Sequence, residues 1–389
     1  MDNFNFFNST HIIFGKGAEN QIGELTAPHS KNILLVYGGS SIKTTGLYDK
    51  VAASLKAAGV RFTELSGVKP NPRLSLVNEG IGLCRKNGLD FVLAVGGGSV
   101  IDTAKAISLG ALYDGDVWDF YSGKAVPTKN LPVATILTIP AAGSEMSHSS
   151  VITKEDGLLK RGANYEINYP KFSILDPELA FTLPKYQMAC GAADILAHLM
   201  ERYFTNSKNV ELTDRLIESL MKTVINSLPV VLAKANDYDA WAEIMWTGSI
   251  AHNNLLNTGR EGDWASHDIE HEISAMYDVA HGAGLAVVFP AWMKYVYKHD
   301  VSRFAQFAQR VWNVDTDFYD LEKTALEGIA RLESFFESSG LTTSLKKLTG
   351  DDTRLEEMAG KCQRNDMGTT GKFVPLKRPD VLSILKLAN

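Results

Sequence analysis

Cysteine is scarce in this chain: three among 389 residues, Cys84, Cys190 and Cys362, odd in number and far apart. Such spacing excludes a disulfide framework and a CxxC metal site, and it points to a reducing compartment. Charge of either sign is never massed. With 39 Lys and Arg against 45 Asp and Glu, a net charge of -6, there is no basic block to track a nucleic-acid backbone. A run of about 18 or more apolar residues, the mark of a membrane span, is also missing. The opening MDNFNFFNST lacks the basic and apolar segments of a secretory signal. A soluble cytoplasmic protein is expected, with no nucleic-acid or membrane partner. What the chain does have is 45% hydrophobic residues, enough at this length for two domains with separate cores.

The pattern changes near Leu183 to Lys185. Before it, apolar strands alternate with helices: Ile33 to Tyr37, Val60 to Leu65, Phe91 to Val95, Val133 to Ile139, Val151 to Ile152 and Phe172 to Leu175 as strands, with helices from Leu47, Leu74 and Val100 between them. That alternation implies a mostly parallel sheet covered on both faces. Phe4 to Phe14 alternates apolar and polar residues and reads as an opening strand or hairpin at an edge. After the change, helical patterns dominate, among them Leu212 to Val231, Ala240 to Asn253, His281 to Tyr297, Val301 to Trp312 and Thr324 to Ser338. The expected organisation is an α/β dinucleotide-binding domain over 1–184, Rossmann-like with a parallel sheet, followed by an all-α metal-binding domain over 185–389.

Three of the nine histidines fall within DWASHDIEHEISAMYDVAHGAG. On a helix opening at Asp263 as N-cap, His267 and His271 lie four residues apart on one face, and His281 starts the next element. Asp194 and His198, in GAADILAHLMERYF, repeat the four-residue spacing. One carboxylate with three imidazoles, Asp194, His198, His267 and His281, suits Fe(II), Zn(II) or a similar divalent ion with an open coordination position. His148, His252 and His299 read as structural or exposed. Gly96-Gly97-Gly98-Ser99 lies between a strand and a helix, where backbone N–H groups and the helix dipole favour a pyrophosphate. From Gly38 to Gly46 there is no acid, while Ser40, Ser41 and Lys43 supply donors. A ribose 2′-phosphate is therefore favoured over a free 2′-hydroxyl, and NADP(H) over NAD.

Taken together, GGGSVID, PAAGSE, DPELAFTLP, GAADILAHLMERY and HxxxHxxxxxxxxxHGxG resemble the iron-containing (group III) alcohol dehydrogenases, in their NADPH-dependent butanol dehydrogenase and aldehyde reductase branch. The resemblance covers essentially the whole chain and implies a dehydroquinate synthase-like architecture. It also implies metal ligands at Asp194, His198, His267 and His281, with His271 beside the metal and nicotinamide without being a ligand. Gly38, Ser40, Asn71, Gly97, Gly98, Ser99, Asp102, Thr138, Ser147, Lys160 and Leu179 would line the cofactor site. One departure is that many relatives carry PTTAGTGSE where this chain has the shorter IPAAGSE.

The expected activity is hydride transfer between NADPH and short aldehydes, or primary alcohols in reverse, with the metal acting on the substrate oxygen and His271 passing a proton. One rival is a dehydroquinate synthase- or glycerol-1-phosphate dehydrogenase-like enzyme on an acidic substrate. It would need cations near the metal, and only Arg260 is close in sequence to His267. The other rival is a non-catalytic metal- or nucleotide-binding protein. Resemblance further suggests a homodimer, with the Phe4 to Phe14 strand as the expected element across the interface.

Overall fold

The computed structural model describes residues 1–362 and 367–389. The first half runs β1 (His11–Phe14), α1 (Ile22–Thr26), β2 (Asn32–Tyr37), α2 (Ser41–Thr44), α3 (Leu47–Ala57), β3 (Arg61–Leu65) and α4 (Leu74–Asn87). It continues through β4 (Phe91–Gly96), α5 (Gly98–Ala111), α6 (Trp118–Tyr121), β5 (Val133–Leu137), β6 (Ser149–Lys154), β7 (Leu159–Asn164) and β8 (Phe172–Leu175). Helices follow: α7 (Lys185–Tyr203), α8 (Glu211–Ala233), α9 (Tyr238–Ala251), α10 (Ala265–Tyr277), α11 (His281–Val296) and α12 (Val301–Trp312). The last are α13 (Leu321–Ser338), α14 (Leu345–Thr349), α15 (Leu355–Lys361) and α16 (Arg378–Leu387). Two compact units result, one of residues 7–183 with 235–253, the other of 1–6, 184–234 and 254–389.

The α/β unit holds a six-stranded sheet in the order β1-β8-β5-β4-β2-β3, with every neighbouring pair parallel. Strands β4, β5 and β8 are buried along their whole length, which is why they read as unbroken apolar runs rather than alternating ones. The chain leaves β2 for β3 on one side and returns for β4 on the other. In a doubly wound sheet, ligands sit at such a switch point, outside the carboxyl ends of the strands. The loops there are Gly38 to Ser40 after β2 and Gly97 after β4.

Of the opening segment only His11–Phe14 is a strand, at the sheet edge and parallel to β8. Strand β7 escaped the sequence pattern, because LKRGAN is polar and lacks β-branched residues; its antiparallel pairing with β6 makes it a strand. Helix α9 follows in the helical half of the sequence yet packs with the α/β unit. There Ser249 Oγ donates to the buried Glu145 carboxylate (2.6 Å), and a Cβ at Gly143 would lie 2.6 Å from the Gly248 carbonyl.

In the helical unit, α7 is buried from Met188 to Tyr203. Small residues (Ala189, Cys190, Gly191, Ala192, Ala193 and Ala197) line it and let neighbouring helices approach. At its end Phe204 stacks on Phe304 (4.5 Å between centroids) among Trp292, Phe307 and Phe373. Helix α8 has the length and hydropathy of a membrane span. However, it is amphipathic: it buries Ile217, Met221, Val224, Leu228 and Val231, and its buried Asp214 pairs with Arg260 and Arg303.

Candidate metal centre and nucleotide site

Helix α10 does not start where the sequence suggested. Its N-cap is Trp264, not Asp263, and Trp264 adopts a left-handed backbone (φ 70°). Such a conformation costs a bulky residue about 1–2 kcal/mol. Asp263 instead accepts backbone N–H bonds from Ala265 (3.2 Å), Lys372 (2.7 Å) and Phe373 (2.7 Å), tying the C-terminal segment down. The helix's first N–H groups are met from α7. Glu201 Oε2 accepts from Trp264 N (2.5 Å) and Oε1 from His267 N (3.0 Å), so a side chain on another helix replaces the usual cap. Arg202 lies over the Trp264 ring at 4.7 Å, adding a cation–π contact.

That arrangement aims His267 at α7. On α7, Asp194 and His198 project from one face, and Asp194 Oδ1 is 3.4 Å from His198 Nε2, 4.0 Å from His267 Nε2 and 3.8 Å from His281 Nε2. Ligand-type atoms of Asp194, His267 and His281 all lie within 4.8 Å of one another. The His198 and His267 rings are 4.6 Å apart, and the Trp264 indole edges both (5.9 and 5.3 Å). His281 reaches the same point because α11 packs tightly. A Cβ at Gly282 would fall 1.9 Å from the Cys190 carbonyl, and one at Gly284 would fall 2.6 Å from Glu270 Oε1. His271 is buried, with its ring 5.5 Å from His281 and 6.5 Å from His267.

Two buried carboxylates set the tautomers. Glu201 Oε1 accepts a hydrogen bond from His267 Nδ1–H (2.8 Å), and Glu270 accepts one from His281 Nδ1–H, leaving each Nε2 directed toward Asp194. Burial raises the Glu201 carboxyl above its ordinary value, while the His267 and Trp264 N–H groups that point at its oxygens favour the charged form and oppose that rise. A second grouping, Glu270, His271 and His281, also falls within 4.8 Å. There Glu270 is already bonded to Ser274 as well as to His281 Nδ1, so it serves as an orienting group. One carboxylate and three imidazole nitrogens, two of them with their far nitrogen held by a carboxylate, form a donor set that could hold Fe(II) or Zn(II).

In the α/β unit, α5 opens at the switch point with Gly97 as its N-cap, a residue with no side chain to cap the helix. A Cβ on Gly97 would meet Ile139 at 2.9 Å and one on Gly98 would meet Ala142 at 3.2 Å, so the loop after Thr138 lies directly on these glycines. Thr138 N donates to the Gly96 carbonyl (3.1 Å). Asp102 uses both oxygens to hold that region, accepting from Ser144 Oγ (2.6 Å) and Val151 N (3.0 Å). Beneath it the fully buried Lys105 ammonium donates to the carbonyls of Ser144 (2.7 Å), Ser147 (2.8 Å) and Ser149 (2.9 Å). Burial pushes Lys105 down to about 8, opposed by Asp102 and Glu145. Lys160 Nζ donates to Asn71 Oδ1 (2.9 Å), joining two residues 89 positions apart. Gly38 and Ser40 occupy the loop after β2, and Leu179 packs against the core beside β8.

Residues 9–177 match the family model for iron-containing alcohol dehydrogenase, and residues 188–389 match that for the C-terminal part of the Fe-containing alcohol dehydrogenase family. The chain belongs to the iron-containing alcohol dehydrogenase family. It is accordingly an NAD(P)-dependent alcohol dehydrogenase, an oxidoreductase. It is 45% identical over 386 residues to probable NADH-dependent butanol dehydrogenase 1 of Bacillus subtilis, covering 99% of each chain. It is 35% identical to the NADPH-dependent aldehyde reductase YqhD of Escherichia coli, covering 96% of each. The crystal structure of NADH-dependent butanol dehydrogenase A from Thermotoga maritima superposes with a TM-score of 0.96 at 41% identity, over 100% of this chain and 99% of that one.

Within this dehydrogenase, three features escaped the sequence reading. Glu201 and Glu270 stand three residues after His198 and His267, a same-face helical spacing that carried the signal. Lys105, one turn after Asp102 on α5, showed nothing in sequence to mark it as buried. Lys43, whose sequence position suits a phosphate donor, has a carboxylate beside it: Glu64 Oε2 on β3 lies 3.7 Å from its ammonium. A carboxylate thus stands beside the acid-free stretch Gly38 to Gly46, carried by the neighbouring strand.

Proposed function

We propose that this alcohol dehydrogenase reduces short-chain aldehydes to primary alcohols, and runs in reverse, with NADH or NADPH as hydride carrier and a divalent ion, Fe(II) or else Zn(II), bound by Asp194, His198, His267 and His281. The observation that carries this reading is the approach of three imidazole Nε2 atoms to within 3.4–4.0 Å of Asp194 Oδ1. When bound, such an ion stabilises negative charge on the substrate oxygen, which lets an aldehyde accept hydride and an alcohol lose its proton near neutrality.

The chain's own part is placement. Glu201 and Glu270 hold the Nδ1 protons of His267 and His281 and so keep both Nε2 atoms available as ligands. His271, buried beside His281, is assigned the proton relay between the substrate oxygen and solvent. On the α/β unit, the Gly97–Ser99 amides would take the pyrophosphate, and the adenosine ribose would lie by Gly38 and Ser40. Asn71, Asp102, Thr138, Ser147, Lys160 and Leu179 complete the proposed cofactor wall. The acid-free stretch Gly38 to Gly46 favours NADPH, whereas the Glu64 carboxylate on Lys43 favours NADH.

Arg260 speaks against an acidic substrate. Its guanidinium is buried and bound to Asp214 (2.6 Å), the Arg202 carbonyl (3.1 Å) and the Val210 carbonyl (2.9 Å). The three buried cysteines carry no disulfide, in keeping with the proposed cytoplasmic setting. The edge strand β1, with Phe14 exposed, supports a homodimer. The deciding experiment is nicotinamide oxidation by metal-loaded protein with butanal against a phosphorylated ketone. Turnover with butanal is expected; turnover confined to the phosphorylated substrate, or with neither, would overturn the proposal.

A further inference from the structure

The loop after β2 carries a caged lysine. Lys43 follows Gly38 and Ser40 on α2, and its ammonium lies 4.8 Å from the Tyr48 ring centroid and 5.2 Å from that of Tyr37. Glu64 Oε2 closes the cage at 3.7 Å. The carboxylate is itself fixed by two phenols, Tyr37 Oη donating to Oε2 (2.5 Å) and Tyr48 Oη to Oε1 (2.6 Å). Leu35 pairs with Glu64 across the two strands, and Gly67 N donates to the Gly38 carbonyl (2.8 Å), so the ends of β2 and β3 are tied together. The lysine and glutamate side chains keep 51% and 37% of their surface, enough for both to meet a bound molecule.

An ammonium already neutralised by a carboxylate contributes little to binding a phosphate dianion, and the carboxylate repels it. A ribose 2′-hydroxyl, in contrast, can donate to a carboxylate. We propose that Glu64, by neutralising Lys43, sets the preference at the adenosine ribose in favour of NADH over NADPH. This rests on the reading above that the loop after β2 receives the adenosine half of the cofactor. It makes Glu64 a specificity-determining residue reached from the adjacent strand, and Lys43 a latent phosphate ligand.

The test compares kcat and KM for NADH and NADPH in the metal-loaded parent, in Glu64→Gln and in Glu64→Gln with Lys43→Met, using butanal. Glu64→Gln is expected to lower the KM for NADPH about ten-fold, the scale of removing one screened like charge. The KM for NADH should rise as the carboxylate that accepts from the ribose 2′-hydroxyl is lost, and the added Lys43→Met should cancel the gain for NADPH. Calorimetry of the parent with 2′,5′-ADP and 5′-AMP, which differ only by the 2′-phosphate, gives a readout that needs no variant, and weaker binding of 2′,5′-ADP is expected. An unchanged NADPH to NADH ratio in Glu64→Gln, or tighter 2′,5′-ADP binding by the parent, would overturn the role of Glu64 alone. Failure of the parent to bind either dinucleotide would overturn the nucleotide-site reading instead.

Discussion

Replacing Glu201 by Gln perturbs the metal centre without touching a proposed ligand. In the native chain the Glu201 carboxylate meets three donors, Trp264 N on Oε2 and both His267 N and His267 Nδ1 on Oε1. A carboxamide has one oxygen and one NH2 group. Whichever way it is turned, its NH2 faces either the Trp264 N–H or the two His267 donors. An unmet buried donor costs about 1–3 kcal/mol. The strained Trp264 cap is then less well held, and His267 is free to turn or to change tautomer. Loss of a carboxylate that orients a metal-binding histidine lowers metal affinity about 10–100-fold. The assay is competition for Zn²⁺ or Co²⁺ against a chromophoric chelator, alongside thermal unfolding of the metal-free protein. We expect a folded variant of lower stability with weakened metal binding, and a larger loss of both in Glu201→Ala. A folded Glu201→Gln protein with unchanged metal affinity would refute the argument that this contact positions His267.

Three further outcomes are expected. His267→Ala should lose both bound metal and turnover, measured by elemental analysis and NAD(P)H oxidation; parental activity in the purified variant would remove His267 from the ligand set. Gly282→Ala puts a methyl group against the Cys190 carbonyl and should push α11 off α7, costing about 1–3 kcal/mol in thermal unfolding and displacing His281; an unshifted midpoint would contradict the close helix contact. Asp214 is a case of opposed effects, because burial raises its pKa but the Arg303 and Arg260 guanidiniums together hold it below 3.8. Its contribution to stability is thus full above the unfolded value of 3.8 and is lost as pH falls through the lower folded value. Asp214→Asn should cost about 3–5 kcal/mol near neutral pH. In denaturant titrations the gap to the parent should shrink below pH 3.8, and a gap independent of pH would exclude the ion pair as its source.

Much of the fold was legible because buried parallel strands leave unbroken apolar runs and long helices leave a period. Phe172–Leu175, Leu74–Asn87 and Val301–Trp312 stand where the residues place them. The helical spacing of Asp194 with His198, and of His267 with His271, showed which side chains share a face. It could not show that two helices would bring Asp194 and His267 within 4.0 Å, since that depends on Glu201 catching the start of α10. Features set by tertiary contact stayed hidden. Strand β7 exists through its pairing with β6, α9 belongs with the α/β unit through Glu145 and Ser249, and Trp264 displaces Asp263 as the cap because Asp263 is needed by Lys372 and Phe373. The carboxylate that pairs with Lys43 was hidden for the same reason, Glu64 lying 21 residues away on another strand.

The central claim is that Asp194, His198, His267 and His281 share one divalent ion. X-ray absorption on protein loaded with Fe(II) without oxygen tests it most directly. The account predicts an inner shell of nitrogen and oxygen with the multiple-scattering signature of three imidazoles, falling to two in His281→Ala. A shell without imidazole scattering, or one unaltered by that substitution, would contradict it.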